Sequence, residues 1–289
     1  MAWPWRSSWP AAFPIYSGYR SPLWPVWLVI WRVKFSIMEN VAGLVGLCLI
    51  GFAVALFLLG PDWAELGRQA VQGVATSTEH ISTYWFYAVA LFGAAMTPYE
   101  VFFFSSGAVE EGWTVKDLAR SRANVLVGFP LGGLLSLAIA GCAAVVLLPQ
   151  LIAVTALSQV MLPVAMAGGK LLLALIILGI VAATAGAALE TTLSAGYTIA
   201  QFLGWSWGKF RPPALAAGFH LLMIICLIVG VGTLMTGIDP IKVTEISVVF
   251  SAVALPLTYL PILIVANDPE FMGEHVNGQA LNGGALIYW

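Results

Sequence analysis

The amino-acid sequence predicts an all-α polytopic membrane protein. Of its 289 residues 60% are hydrophobic and 9% charged, and the mean hydropathy is +0.92. That is far above the apolar share of a water-soluble domain. Several apolar runs reach roughly 20 residues, the length a helix needs to cross a bilayer core. One run carries Thr97-Pro98-Tyr99-Glu100 at its middle. Freed backbone groups and a carboxylate survive at that depth only where protein or a water-filled cavity surrounds them.

Residues 1–31 form a Trp/Pro-rich segment in which Trp3, Pro4, Trp5, Trp9, Pro10 and Pro14 fit no helix pattern. It has no basic start followed by an apolar core, so it does not read as a signal peptide. Leu23 to Trp31 is apolar but about half the spanning length. Its Trp24, Trp27 and Trp31 suit a membrane interface or a helix stump. A transmembrane domain over 32–289 follows, with spans at roughly 35–59, 83–108, 125–148, 170–203, 214–236 and 243–265. Residues 61–80 are polar and net acidic. Residues 149–169 hold two prolines and Gly168-Gly169, and are expected along the surface. The last ten residues resemble another span just beginning, so both ends read as cut.

Lys and Arg set orientation by collecting on the cytoplasmic side. Arg32, Lys34, Lys116, Arg120, Arg122, Lys209 and Arg211 alternate onto one side, against Arg68, Lys170 and Lys242 on the other. The loops 110–124 and 205–213 are therefore expected in the cytoplasm. A net charge of −2 with no basic cluster gives no sign of nucleic-acid binding. Cys48, Cys142 and Cys226 fall in three different apolar runs and read as small core residues. Zincin, nucleophile-elbow, P-loop and dinucleotide motifs are absent. No Asp lies inside a span, so an intramembrane aspartyl protease or a Ser-His hydrolase has no candidate constellation.

The sharpest candidates are Thr97, Pro98, Tyr99 and Glu100. A proline kink alone would account for loose carbonyls, but it does not need a glutamate. A broken helix with polar groups near mid-membrane marks a substrate site in secondary transporters. Glu190 lies within Leu189-Glu190-Thr191-Thr192-Leu193-Ser194-Ala195-Gly196-Tyr197. This polar face suits interhelical hydrogen bonding or an ion path. His220 reads as a core histidine, and Glu39 and Glu245 as interfacial. Gly128 and Gly132 have the small-xxx-small spacing of close helix contact.

Three stretches resemble the natural resistance-associated macrophage protein (Nramp) family of divalent-metal transporters. The family's sixth helix carries Met-Pro-His-Asn followed by Ser-Ser, where this chain has Thr97-Pro98-Tyr99-Glu100 and Ser105-Ser106. Phe35-Ser36-Ile37-Met38-Glu39-Asn40 is similar to the opening of the fifth helix. Gly186 to Gln201 is similar to the eighth. The resemblance implies a leucine-transporter-like fold of two inverted five-helix repeats, present here in part as helix five plus the second repeat. It implies a divalent cation (Mn, Fe or Mg class) as substrate, with no cofactor. Transport would proceed by alternating access around Thr97-Pro98. The Ala94 carbonyl and Thr97 hydroxyl would line the metal, and Pro98, Tyr99, Glu100 and Glu190 would support it.

Three departures matter. The family's Asp-Pro-Gly-Asn motif, its principal metal carboxylate, is absent: Asp239-Pro240 is followed by Ile-Lys and Asp268-Pro269 by Glu-Phe. Thr97 replaces a soft Met, as in the Nramp-related magnesium transporters, and a hard oxygen suits Mg, Ca or Mn. Tyr99 replaces a His of the proton pathway, and an ordinary Tyr, with a pKa of about 10, cannot shuttle protons near neutrality. The expected partners are a divalent cation, the lipid bilayer and a missing N-terminal half, with no nucleic acid. The expected location is multi-pass in a bacterial-type plasma membrane. The rival is a non-transporting truncated polypeptide or a half-transporter that needs a partner chain.

Overall fold

The computed structural model describes residues 35–72, 81–95, 97–152, 154 and 156–288. The Trp/Pro-rich segment, Arg32, Lys34 and Met96 lie outside them, as does the side chain of Glu39. Among the described residues the secondary structure is helical, with no strand. Among the described residues six stretches are long and apolar enough to cross a membrane: Asn40–Leu59, Ile81–Glu110, Val115–Leu147, Leu162–Phe202, Ala217–Met235 and Pro240–Ala266.

Helix α1 (Phe35–Gly46) tightens through a 3₁₀ turn (Leu47–Ile50) into α2 (Gly51–Leu59). Gly60 ends it in the left-handed region, at φ 59°, with its amide on the Phe57 carbonyl, a common glycine stop. The short α3 (Trp63–Gln72) starts at Asp62, whose Oδ1 accepts from Ala64 N at 3.0 Å and Glu65 N at 3.1 Å. The second long apolar stretch is divided into α4 (Ile81–Ala95) and α5 (Pro98–Glu110). A reciprocal cap between Thr114 and Asp117 leads into α6 (Leu118–Cys142), which closes on a π-type turn over Ala143–Leu147.

The one-turn α7 (Leu157–Val160) precedes α8 (Leu162–Phe202). Part of the 149–169 stretch, expected along the surface, is thus helical. Within α8, Gly169 holds φ 64° and ψ −156°, a region essentially only glycine occupies. The chain kinks there, and the main shaft runs from Lys170 onward. Helices α9 (Ala217–Met235) and α10 (Pro240–Ala266) follow, then α11 (Pro269–Met272) and α12 (Gln279–Tyr288). Asn282 Nδ2 donates to Asn267 Oδ1 at 2.5 Å, which ties α12 back to the end of α10.

The shaft α8 is the hub: α1, α2, α5 and α9 all pack along it, and α6 packs on α2. Helix α4 instead packs along α10, which touches α5 only lightly. One apolar cluster joins Phe103, Leu193, Tyr197, Phe219 and Met223. A second joins Phe52, Leu56, Cys142, Val164 and Ile176. In lipid, apolar burial gives helices no reason to associate, so close packing and hydrogen bonds hold them. Small residues permit that closeness. A Cβ added to Gly179 of α8 would stand 3.0 Å from the Leu49 amide nitrogen. Among the described residues the contact expected at Gly128 and Gly132 is not made: no neighbouring atom lies within 4 Å of a Cβ placed on either. The spacing put both on one helix face but could not say which helices become neighbours. The closest approach is instead at Gly93, where a Cβ would meet the Val248 carbonyl of α10 at 2.1 Å.

Candidate functional site

In an unbroken helix the Ala94 carbonyl would pair with the N–H of residue 98. Pro98 has none, and its ring clashes with the preceding turn. Helix α4 therefore stops at Ala95 and α5 restarts at Pro98. Thr97 between them is extended, at φ −96° and ψ 129°, the conformation a following proline favours. Pro98 takes the first position of α5, where a missing donor costs nothing. The Glu100 amide reaches back to the Thr97 carbonyl at 3.2 Å.

Thr97 occupies the N-cap position but caps nothing with its side chain. Its Oγ1 is buried and makes no hydrogen bond among the described residues. Leaving a buried hydroxyl in that state costs about 1–3 kcal/mol. The side-chain oxygens of Tyr99 and Glu100 stand within reach of the Thr97 hydroxyl, but neither meets it with hydrogen-bond geometry. Pro98, Tyr99 and Glu100 are half-buried. Ala94, one turn away, is exposed.

Helix α8 supplies the second wall. Glu190, Ser194, Tyr197 and Gln201 recur at the spacing of a single helix face. Ser194 Oγ donates to the Tyr99 carbonyl at 2.8 Å. Gln201 Nε2 donates to Ser106 Oγ at 2.9 Å. Tyr197 Oη donates to a carboxylate oxygen of Glu110. Glu190, half-buried, and Thr191 both lie within electrostatic reach of Tyr99. The polar face thus turns toward α5 along its length, and the two sequence glutamates, Glu100 and Glu190, flank Tyr99.

Helix α10 closes the third side. Tyr259 lies within electrostatic reach of Glu100. Pro256 and Pro261 sit inside this helix, so the carbonyls of Ala252 and Leu257 lose their normal donors. Bare backbone oxygens at this depth require protein or water around them.

A denser cluster sits at the far end of α5. Glu110 Oε1 accepts the Phe210 amide at 2.9 Å, while Oε2 takes the Tyr197 hydroxyl. Lys209 is only 1% exposed, with Nζ 5.0 Å from the Phe210 ring centre. Burial pushes its amine down to about 8, an effect the nearby Glu110 and Glu111 oppose. Lys209, counted above as a loop charge that sets topology, is therefore an interior cation. His220 is buried in α9 with Nε2 3.1 Å from the Arg211 carbonyl. A carbonyl only accepts, so this contact places a proton on Nε2.

The residues read from sequence meet in part. Thr97, Tyr99, Glu100 and Glu190 share one polar region with Ser194 and Tyr259, while Ala94 stands at its outer edge. Among the described residues no three His, Cys, Asp or Glu come together as a group that could hold a metal. Sequence reasoning missed Glu110, Gln201 and Tyr259. Gln201 was within reach, because it continues the face of Glu190, Ser194 and Tyr197.

A search of curated protein sequences finds no match. A family model described as natural resistance-associated macrophage protein-like matches residues 14–289, from inside the Trp/Pro-rich segment to the last residue. It spans the broken helix, the polar face of α8 and the proline-bearing α10. Nearly the whole chain is covered, so this protein belongs to the Nramp family, whose members are metal-ion transporters.

Proposed function

We propose that this chain carries a divalent cation by alternating access around the break at Thr97-Pro98. The Ala94 carbonyl and Thr97 hydroxyl line the ion, and Glu100 and Glu190 supply negative charge around it. The observation that carries this is the buried, unsatisfied Thr97 hydroxyl at the end of an interrupted helix. Such a group is at once a hard oxygen ligand and a place where water accompanies a cation. Hard ligands suit Mg and Mn, and Mg keeps several waters when bound. On this reading the helices are helix five plus the second repeat of a leucine-transporter-like fold, in a bacterial-type plasma membrane.

The rival, a half-transporter that needs a partner chain, is favoured by the missing Asp-Pro-Gly-Asn carboxylate. A divalent cation in low dielectric needs anionic ligands close by. On that rival reading proteoliposomes that hold this chain alone take up little, and robust Mn or Mg uptake there would rule out the half-transporter. Selectivity tests the site itself, in the chain reconstituted with a first repeat. Competitive uptake of Mg, Mn and Cd should show wild type admitting Mg as well as Mn. Thr97→Met should raise the preference for Cd, the softest of the three. If wild type excludes Mg while Thr97→Met leaves the Cd to Mg ratio unchanged, position 97 is not a metal ligand.

A further inference from the structure

Glu110 breaks a local rule. It ends α5, where the helix dipole disfavours a negative charge by a few tenths of a kcal/mol to about 1 kcal/mol. Departures of this kind are expected where tertiary structure has a use for the residue. Its two carboxylate oxygens take donors from different parts of the chain, Tyr197 of α8 and Phe210 of the linker between α8 and α9. The tyrosine ring is held in turn by Trp207 and Phe219, with ring centres 5.8 and 5.2 Å away. Gly208, at φ 121°, lets the linker backbone approach, since a Cβ there would stand 2.9 Å from Glu110 Oε1. The charged and titratable groups around the carboxylate are Glu111 just past the end of α5, Tyr197 of α8, Lys209 of the linker and His220 of α9.

The two halves of the broken helix therefore have different hosts. Helix α5 packs along α8 and α4 along α10. We propose that Glu110 is a positioning residue for the cation path. Through Tyr197 and the 203–216 linker it makes α5 one body with α8 and α9. The extended backbone at Thr97 is then the joint to the α4–α10 body. Motion of one body against the other changes what surrounds Thr97, while the Ser194 bond to the Tyr99 carbonyl stays intact. The mention of a cation path rests on the transport proposal; the two-body arrangement does not.

Thiol reactivity tests it in the full chain, in detergent, with Cys48, Cys142 and Cys226 changed to Ala. One reporter is Ser106→Cys, buried on α5 against Gln201. The other is Ala90→Cys, buried on α4. The probe is a small water-soluble methanethiosulfonate. Tyr197→Phe removes one oxygen and keeps the ring, and Glu110→Ala removes the whole knot. Losing a hydrogen bond to a charged group shifts an opening equilibrium about tenfold or more. Both variants should raise the rate at position 106 by that factor and leave position 90 unchanged. An unchanged rate at 106 in Tyr197→Phe overturns the proposal. So does an equal rise at both reporters, because Glu110 would then hold the whole fold rather than α5. The assay reads no transport, so failure of the uptake experiments leaves its result standing, and the reverse also holds.

Discussion

Gly93→Ala is the substitution whose effect the structure prescribes most narrowly. The new methyl carbon would lie 2.1 Å from the Val248 carbonyl oxygen and 3.1 Å from both the Cβ and the amide nitrogen of Ala252. A carbon and a carbonyl oxygen in contact ordinarily stand about 3.3–3.6 Å apart. Helices α4 and α10 must therefore part by on the order of 1 Å at this point. The obstacle is backbone inside a 27-residue helix, so no rotamer change relieves it. Overpacking costs about 1–3 kcal/mol, and a backbone obstacle puts Gly93→Ala at the upper end, near 3 kcal/mol. Neighbouring contacts also suffer, since a gap of about 1 Å forfeits up to half of a dispersion well. At about 2–4 °C per kcal/mol, the midpoint of thermal unfolding in detergent should fall by roughly 6–12 °C. Gly128→Ala is the control, because nothing lies within 4 Å of its added methyl. It should be neutral, or stabilising by up to about 1 kcal/mol through helix propensity. A Gly93→Ala protein that melts within about 1 °C of wild type would refute the α4–α10 contact, on a scale where 1 kcal/mol moves the midpoint further than that.

Two further outcomes follow from the linker between α8 and α9 and from the charge pattern. Lys209 holds its proton less tightly folded, at about 8, than unfolded, at 10.5. Between those values the unfolded chain binds more protons, so stability rises as pH increases through this window, by up to about 3 kcal/mol for a shift of that size. Lys209→Met should flatten that rise in melting curves taken from pH 8 to 10.5, and an identical slope in both proteins would contradict the buried cation. For topology, the alternation of Lys and Arg places Leu118 on the cytoplasmic side. Leu118→Cys in a cysteine-free background should resist impermeant thiol reagents applied outside intact cells, and labelling from outside would reverse the orientation.

The break at Thr97 was legible because its cause is local. Proline removes one donor and restricts one neighbour wherever it occurs, so the sequence names the residues directly. The polar face of α8 was legible for a similar reason, since helix periodicity aligns Glu190, Ser194 and Tyr197 whatever surrounds them. Partners at long sequence distance were not. The Glu110 bond to the Phe210 amide crosses 100 residues, and backbone donors carry no sequence signature. Lys209 looked like a solvated loop charge because composition says nothing of how a linker folds back. Gly128 and Gly132 advertised close contact and have none among the described residues. Gly93, with no partner glycine at the same spacing, makes the closest one. Small residues show where approach is allowed, and only the tertiary arrangement decides where it happens.

The separate hosts of α4 and α5 also impose an order of assembly. Helix α4 enters the membrane early, yet the backbone groove that receives Gly93 belongs to Val248 and Ala252, some 155 residues later in the chain. At a synthesis rate of about 5–20 residues per second, the wait is roughly 8–30 s. For that interval α4 stays in the bilayer, its narrow face open to any other small-residue helix nearby. Helix α5 waits for a shorter stretch, because α8 follows sooner. One half of the broken helix is therefore seated before the other. Assembly intermediates and chaperone contacts should be sought on the Ile81–Ala95 side of the break.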